Sequence, residues 1–318
     1  MKVTEHINNA NGKTLVSFEI LPPLKGKSIK AIFDTLDELK DLNPPFINVT
    51  YHGSEYGVRK NKHGEEQQTI VRKRPGTVGI CAAIMNRYHV DAVPHIICGG
   101  FTVEETEDAL IDLNFLGIEN ILVLRGDKSK TETHFIPTPG GHEYAIDLLK
   151  QVKNMNSGKY LEDELFNAVP TDFSIGVAGY PEKHYESPNA ELDLQVLKNK
   201  VDAGSDYIVT QMFFDNKKYF DFVKSCRAIG ISVPIIPGIK PITTSKHLNI
   251  LPGLFNVEIP QELVKEVETC KSEDDVKKVG VNWCAAQCKE LKEANVPVLH
   301  FYTMSNASSV KAVVSQLF

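Results

Sequence analysis

Apolar residues along the chain alternate between two patterns, short continuous runs and longer stretches in which they recur every three or four positions. A short run bounded by Gly or Pro suits a strand buried on both faces, and the longer spacing suits an amphipathic helix. Residues 15–20 read as a strand that Pro22 and Pro23 end, because proline lacks the donor a central strand needs. Residues 28–41 read as a helix, with Ile29, Ile32, Phe33, Leu36 and Leu39 at helical spacing. A strand follows at 46–51. The segment 52–75 is polar and rich in Gly, Lys and Glu, and a long mobile loop is expected there.

The same alternation continues to the C-terminus. A helix is expected over 76–88, a strand over 91–98, and a helix over 103–116 capped by Thr102. The run Ile121-Leu122-Val123-Leu124 then stops at Arg125-Gly126-Asp127. A helix over 142–155 leads into a polar excursion to Thr171. Residues 173–180 read as a strand ended by Pro181, and 190–203 as a helix closed by Gly204. Strands at 207–214, 233–239 and 298–303 are separated by a helix over 216–229 and by helices filling much of 244–295. Eight strands, each followed by helical sequence, imply parallel pairing and right-handed crossovers. The expectation is an α/β protein, a closed (β/α)8 TIM barrel forming one domain over residues 1–318. An open doubly wound sheet would usually carry a Gly-x-Gly-x-x-Gly turn, which the chain lacks.

Composition narrows the class without fixing the chemistry. Hydrophobic content of 42% and charged content of 24% are ordinary for a soluble protein. The net charge of −6 argues against a general nucleic-acid binder and against docking on an anionic membrane. No apolar run could span a bilayer, and the N-terminus lacks the apolar core of a signal peptide, so a cytoplasmic location is expected. None of the six cysteines forms a Cys-x-x-Cys pair. Cys284 and Cys288 would share a helix face without nearby histidines, so free buried thiols are expected rather than a zinc site.

In a parallel barrel, ligands bind where the strands emerge at their carboxyl ends. Those ends carry Glu19, Thr50 and Tyr51, His95, Arg125 and Asp127, Tyr180, Glu182 and His184, Gln211, and His300 and Tyr302. Any one of them alone is more often a structural group, but together they converge on one rim. Glu19 should face the barrel interior while Phe18 and Ile20 face outward. A carboxyl group partly withdrawn from water there suits a general acid near neutral pH. Two rival readings remain at this point. One is a Schiff-base aldolase, for which Lys240 is the candidate lysine. The other is a non-catalytic flavin- or folate-binding protein, which would not need Glu19.

Ser17-Phe18-Glu19 with Pro22-Pro23, Val49-Thr50-Tyr51, Pro94-His95, Leu124-Arg125-Gly126-Asp127, Tyr180-Pro181-Glu182 with His184, Lys200-Val201-Asp202-Ala203-Gly204, Thr210-Gln211 and His300-Phe301-Tyr302-Thr303 occur in that order. Together they resemble the methylenetetrahydrofolate reductase family, in its bacterial-type, catalytic-domain-only form, from about Val16 onward. The resemblance implies a barrel that binds FAD non-covalently without a Rossmann motif. It implies reduction of 5,10-methylenetetrahydrofolate to 5-methyltetrahydrofolate with NADH or NADPH, ping-pong through reduced flavin, in one-carbon metabolism and methionine biosynthesis. It implies Glu19 as the acid that helps open the substrate's imidazolidine ring, and Asp127 as the carboxylate near flavin and pterin. Gln211 becomes a folate and nicotinamide contact. Thr50, His95, Leu124, Arg125, Gly126, Asp127, Tyr144, Ala145, Tyr180, His184, Asp193 and Lys200 become flavin-contacting positions, with Arg125 and Lys200 able to neutralise a diphosphate. A homo-oligomer is expected, and no S-adenosylmethionine regulation.

The chain departs from the family pattern in places. Met304-Ser305-Asn306 stands where the family often has an Asn-Arg pair, so a cation near the folate is missing. Leu251 replaces a commonly aromatic position, and the segments 52–75 and 155–171 are longer than expected.

Overall fold

The computed structural model describes residues 1–318 except 54, 129–131, 163–164 and 305–306, and for 55–57, 68 and 70 the backbone alone. Among the described residues the strands are β1 (Leu15–Ile20), β2 (Phe46–Val49), β3 (Glu55–Lys60), β4 (Glu66–Val71), β5 (Asp91–Ile97), β6 (Asn120–Leu124), β7 (Ser174–Gly179), β8 (Tyr207–Met212), β9 (Ile235–Ile239) and β10 (Val298–Tyr302). The helices are α1 (Val3–Asn9), α2 (Lys30–Leu39), α3 (Thr77–Tyr88), α4 (Val103–Phe115), α5 (Ala145–Met155), α6 (Ala190–Asp202), α7 (Asn216–Ala228), α8 (His247–Phe255), α9 (Gln261–Thr269), α10 (Glu273–Glu293) and α11 (Ala307–Val314).

Eight strands close into a barrel in the order β1-β10-β9-β8-β7-β6-β5-β2, the expected (β/α)8 arrangement. Neighbouring strands pair in parallel. In β1 the alternation of side chains sends Val16, Phe18 and Ile20 outward into the layer between barrel and helices. Ser17 and Glu19 therefore face inward, and the register sets Ser17 beside His300 and Glu19 between Tyr302 and Asn48. The lower interior is apolar, built from Phe46, Val93, Leu122, Tyr207, Val209, Ile236 and Val298.

Two elements differ from the sequence expectation. The first is α1, which places Val3 under the barrel floor. Asn120 fastens it, its side chain accepting from the Val3 amide at 2.8 Å and donating to the Met1 carbonyl at 2.9 Å. Seven mostly polar residues are too few to display a helical stripe. The second is the segment 52–75, expected as a loop and found as the antiparallel hairpin β3–β4. Its turn is built by Asn61, whose side chain accepts the amides of His63 at 2.9 Å and Glu65 at 3.0 Å, and by Gly64 at φ 82°. The base of the hairpin is tied to the turn after β1 by the Lys25 amide to the Lys73 carbonyl at 2.7 Å.

Thr102 caps α4 as expected, with Glu105 completing a capping box. Cys81, Cys98, Cys226, Cys284 and Cys288 are buried and Cys270 half-buried, all as free thiols. Among the described residues no helix is long and apolar enough to cross a membrane.

Candidate active site

Above the apolar floor the interior turns polar. Glu19 Oε2 lies 3.5 Å from His95 Nε2 and 3.9 Å from His300 Nε2. His300 is fully buried; its Nδ1 sits 2.7 Å from Ser17 Oγ, while its Nε2 has no hydrogen-bond partner. Asn48 Nδ2 donates to His95 Nε2 at 3.3 Å, and Asn48 Oδ1 is buried and unpaired. Burial lowers the pKa of His95 to about 4, with His300 and His52 acting in the same direction and Glu19 opposing. His95 is therefore neutral near pH 7 and contributes no positive charge beside the carboxyl group. Among the described residues Glu19 has no Lys or Arg at ion-pair distance.

The strands around this cluster hold it rigidly. Tyr302 donates its hydroxyl to the Thr210 carbonyl at 2.6 Å, and Thr210 Oγ1 accepts the Gly238 amide at 2.9 Å. A Cβ at position 238 would lie 2.2 Å from the Thr210 carbonyl oxygen and 2.6 Å from the Tyr302 ring, so only glycine permits this crossing. Burial, then Glu19 and Tyr180, raise the Tyr302 pKa well above its ordinary value. Lys240 follows β9 and is 4% exposed. Burial lowers its pKa to about 8, against the opposing pull of Cys284 and Glu19.

A second cluster forms where β6 and β7 emerge. The Leu124 and Arg125 carbonyls accept the Cys98 and Gly99 amides, extending the β5–β6 ladder past its last residue. Gly126 then turns the chain at φ 88°. The Arg125 guanidinium meets Glu186 Oε2 at 2.6 Å and stands 5.0 Å over the Phe135 ring. Tyr180 packs edge-on to His184 at 4.7 Å. Asp193 accepts the His184 amide at 3.2 Å and the Ser187 hydroxyl at 2.7 Å. Lys200 donates to the Ala178 carbonyl at 2.7 Å; burial lowers its pKa to about 8 and Asp193 opposes. Glu186 resists the upward push of its partial burial, because Tyr185 and Arg125 hydrogen bonds bring its pKa below the ordinary value. Burial and the Arg125 charge both lower the pKa of His184.

Two cations beside flat, half-buried rings are the donor set that a diphosphate-linked aromatic ligand requires. The set fits FAD in chemistry, although Arg125 already pairs with Glu186 and Lys200 with the Ala178 carbonyl.

The remaining candidates stand around these two clusters. Tyr144 sits at the N-terminal boundary of α5, which begins at Ala145, and Glu143 raises the pKa of its hydroxyl, with Glu186 adding and Arg125 opposing. Asp127 is exposed, and its charge helps to raise the pKa of Tyr180. Thr50 bonds the Ile20 carbonyl. Gln211 accepts the amide of its own neighbour Met212 at 2.9 Å. Glu182 is held by Lys218 at 2.9 Å and by the Glu258 amide at 3.0 Å. Leu251 is buried with Met212 and Phe214, while Ser305 and Asn306 lie outside the described residues. His95, Tyr51, Phe101, Arg72 and Lys27 line a cleft of about 840 Å³ leading toward the base of the hairpin.

Sequence reasoning missed Asn48, Glu186 and Phe135. The alternation of Phe46 and Asn48 along β2 could have revealed the first. No local pattern announces a loop carboxylate that pairs with another strand's end.

The methylenetetrahydrofolate reductase family model matches residues 2–318. The chain is 32% identical over 317 residues to 5,10-methylenetetrahydrofolate reductase of Escherichia coli (strain K12), covering 99% of this chain and 94% of that one. It is 32% identical over 329 residues to the probable methylenetetrahydrofolate reductase (NADH) of Oryza sativa subsp. japonica, covering 100% of this chain and 50% of the relative. The chain thus spans about half the length of the plant relatives it matches. A solved structure of an uncharacterized protein from Clostridium thermocellum, which binds two copies of 5-methyl-5,6,7,8-tetrahydrofolic acid, aligns with a TM-score of 0.59. That alignment has 14% identity over 99% of each chain, a likeness of fold.

Proposed function

Because the chain belongs to the methylenetetrahydrofolate reductase family, we propose that it reduces 5,10-methylenetetrahydrofolate to 5-methyltetrahydrofolate with NADH or NADPH, using non-covalently bound FAD. The single barrel domain over residues 1–318 carries the whole reaction in two alternating half-reactions. FAD, when bound, supplies the hydride chemistry between the two substrates. Relatives carry names with either nicotinamide donor, so the choice of donor stays open.

The observation that supports this reading most is the inward carboxyl of Glu19 above an apolar floor, facing His95 and His300. Ring opening of the folate needs a proton at a ring nitrogen. Glu19 would give that proton as a positioned general acid, with His95 neutral beside it. Asp127 and Gln211 would border the folate and nicotinamide. Arg125, Lys200, Asp193, His184, Tyr180, Tyr144, Ala145, Gly126, Leu124, His95 and Thr50 would hold the dinucleotide, the two cations facing its diphosphate. A homo-oligomer in the cytoplasm and a role in methionine biosynthesis complete the proposal.

The visible spectrum of the purified protein tests it. A flavin spectrum that bleaches with NADH or NADPH and returns with methylenetetrahydrofolate is expected. A colourless protein that cannot be reconstituted with FAD overturns the reading.

A further inference from the structure

Arg125 is the most available cation of the second cluster, and it is already engaged. Its guanidinium is 2.6 Å from Glu186 Oε2, with the two side chains only 19% and 31% exposed. Lys200 lies deeper, bonded to the Ala178 carbonyl. Lys183 is spent on the His184 and Ser187 carbonyls at 3.0 Å and 2.6 Å. The carboxylates whose charges reach the rings of this cluster are Asp127, Glu143, Glu186 and Asp193. Four carboxylates thus act on the rings of this cluster, and one of them, Glu186, is paired with Arg125. A group bearing a diphosphate would enter a region already rich in negative charge.

Of the two carboxylates bonded within the cluster, Glu186 is the one placed to yield. Asp193 is 9% exposed and fixed by the His184 amide and the Ser187 hydroxyl. Glu186 sits in the loop between β7 and α6, where its own amide donates to His184 Nδ1 at 3.2 Å and its side chain bonds Tyr185 and Arg125. Rotation of that side chain would free the guanidinium and remove one negative charge from its side, with the backbone of the loop left in place.

We infer that Glu186 competes with the diphosphate of the bound dinucleotide for Arg125, so that it sets the affinity for phosphate-bearing flavins. This rests on the FAD-dependent reading above. A carboxylate and a phosphate make the same bidentate demand on a guanidinium, so Glu186 acts as an internal stand-in for the ligand's anion. A flavin without phosphate does not draw on Arg125 and is indifferent to Glu186. The competing view is that Glu186 braces Arg125 in the orientation the diphosphate needs. The two views predict opposite signs.

The test is flavin-fluorescence titration of the deflavinated full chain at low ionic strength with FAD and with riboflavin. Glu186→Gln and Glu186→Ala should each bind FAD about tenfold more tightly than the unsubstituted chain, a change of about 1.4 kcal/mol. Riboflavin affinity should not change, and added salt should shrink the FAD difference. FAD affinity that is unchanged or weaker in both variants overturns the inference, as does equal tightening for riboflavin. Calorimetric titration with inorganic pyrophosphate separates this from the functional reading. If the unsubstituted chain binds no flavin, the FAD-dependent reading fails. Pyrophosphate binding that is tighter in Glu186→Gln then still supports competition at Arg125, and equal or weaker binding refutes it. Thermal melting of each variant confirms that a folded chain was titrated.

Discussion

The interior of the barrel has two halves built by the same strands. Its lower half is apolar, and its upper half gathers the polar groups. On β1 the inward positions run Leu15, Ser17, Glu19; on β2, Phe46, Asn48; on β5, Val93, His95; on β10, Val298, His300, Tyr302. Each strand changes character within two residues, which is one step of the pleat. The lower half is packed against α1 through Val3 and Ile7. The upper half keeps His300 Nε2 and Asn48 Oδ1 buried and unpaired, an arrangement that packing alone would not favour. Apolar packing is concentrated below and the unpaired His300 and Asn48 atoms above, and the parallel register keeps them one layer apart.

The largest effect that could break this contrast is in the floor. Phe46 is 1% exposed among Val93, Leu122 and Tyr207. Phe46→Ala should cost about 3–5 kcal/mol of folding stability, from lost transfer energy plus the cavity left behind. Chemical denaturation measures the loss. Turnover per folded molecule should be nearly unchanged, and a rate that falls in step with stability would show that the two halves are not separable.

A smaller effect concerns the polar half and acid. His95 has a folded-state pKa of about 4 against an ordinary value of 6.5. The unfolded chain therefore takes up the proton first as the pH falls. Stability is full above about pH 6.5 and declines toward pH 4, by about 3 kcal/mol from this group. Melting curves between pH 7.5 and 5 should show a shallower acid slope for His95→Gln than for the unsubstituted chain. Parallel slopes would mean that the buried imidazole does not drive the acid limb.

Much of this was legible in the sequence, for physical reasons that differ by element. The barrel strands were readable because burial on both faces makes them continuous apolar runs ending at Pro or at charge. The hairpin β3–β4 was not, because its sequence offers little contrast between apolar and polar faces. Its only strong signal was the turn at Asn61–Gly64. Glu19, His95 and His300 could be placed on one rim because strand ends converge in any closed barrel. Asn48 was legible only through the pleat of β2, which sets it on the inward face with Phe46. Arg125 was legible as a cation at a strand end, but its pairing with Glu186 depends on how the loop after β7 folds back.

Glu19 is the acid of the folate step in the proposed function, and stopped-flow absorbance of the two half-reactions tests this role directly. In the proposed reaction NAD(P)H reduces the flavin without a proton donor to the folate, so Glu19→Gln should bleach at nearly the unsubstituted rate. Return of the colour with methylenetetrahydrofolate should slow by at least about 10²-fold, the lower bound for a positioned general acid. Colour that returns at the unsubstituted rate would contradict the account, because Glu19 would then not be the acid. Collapse of both halves together would also contradict it, by making Glu19 a structural group.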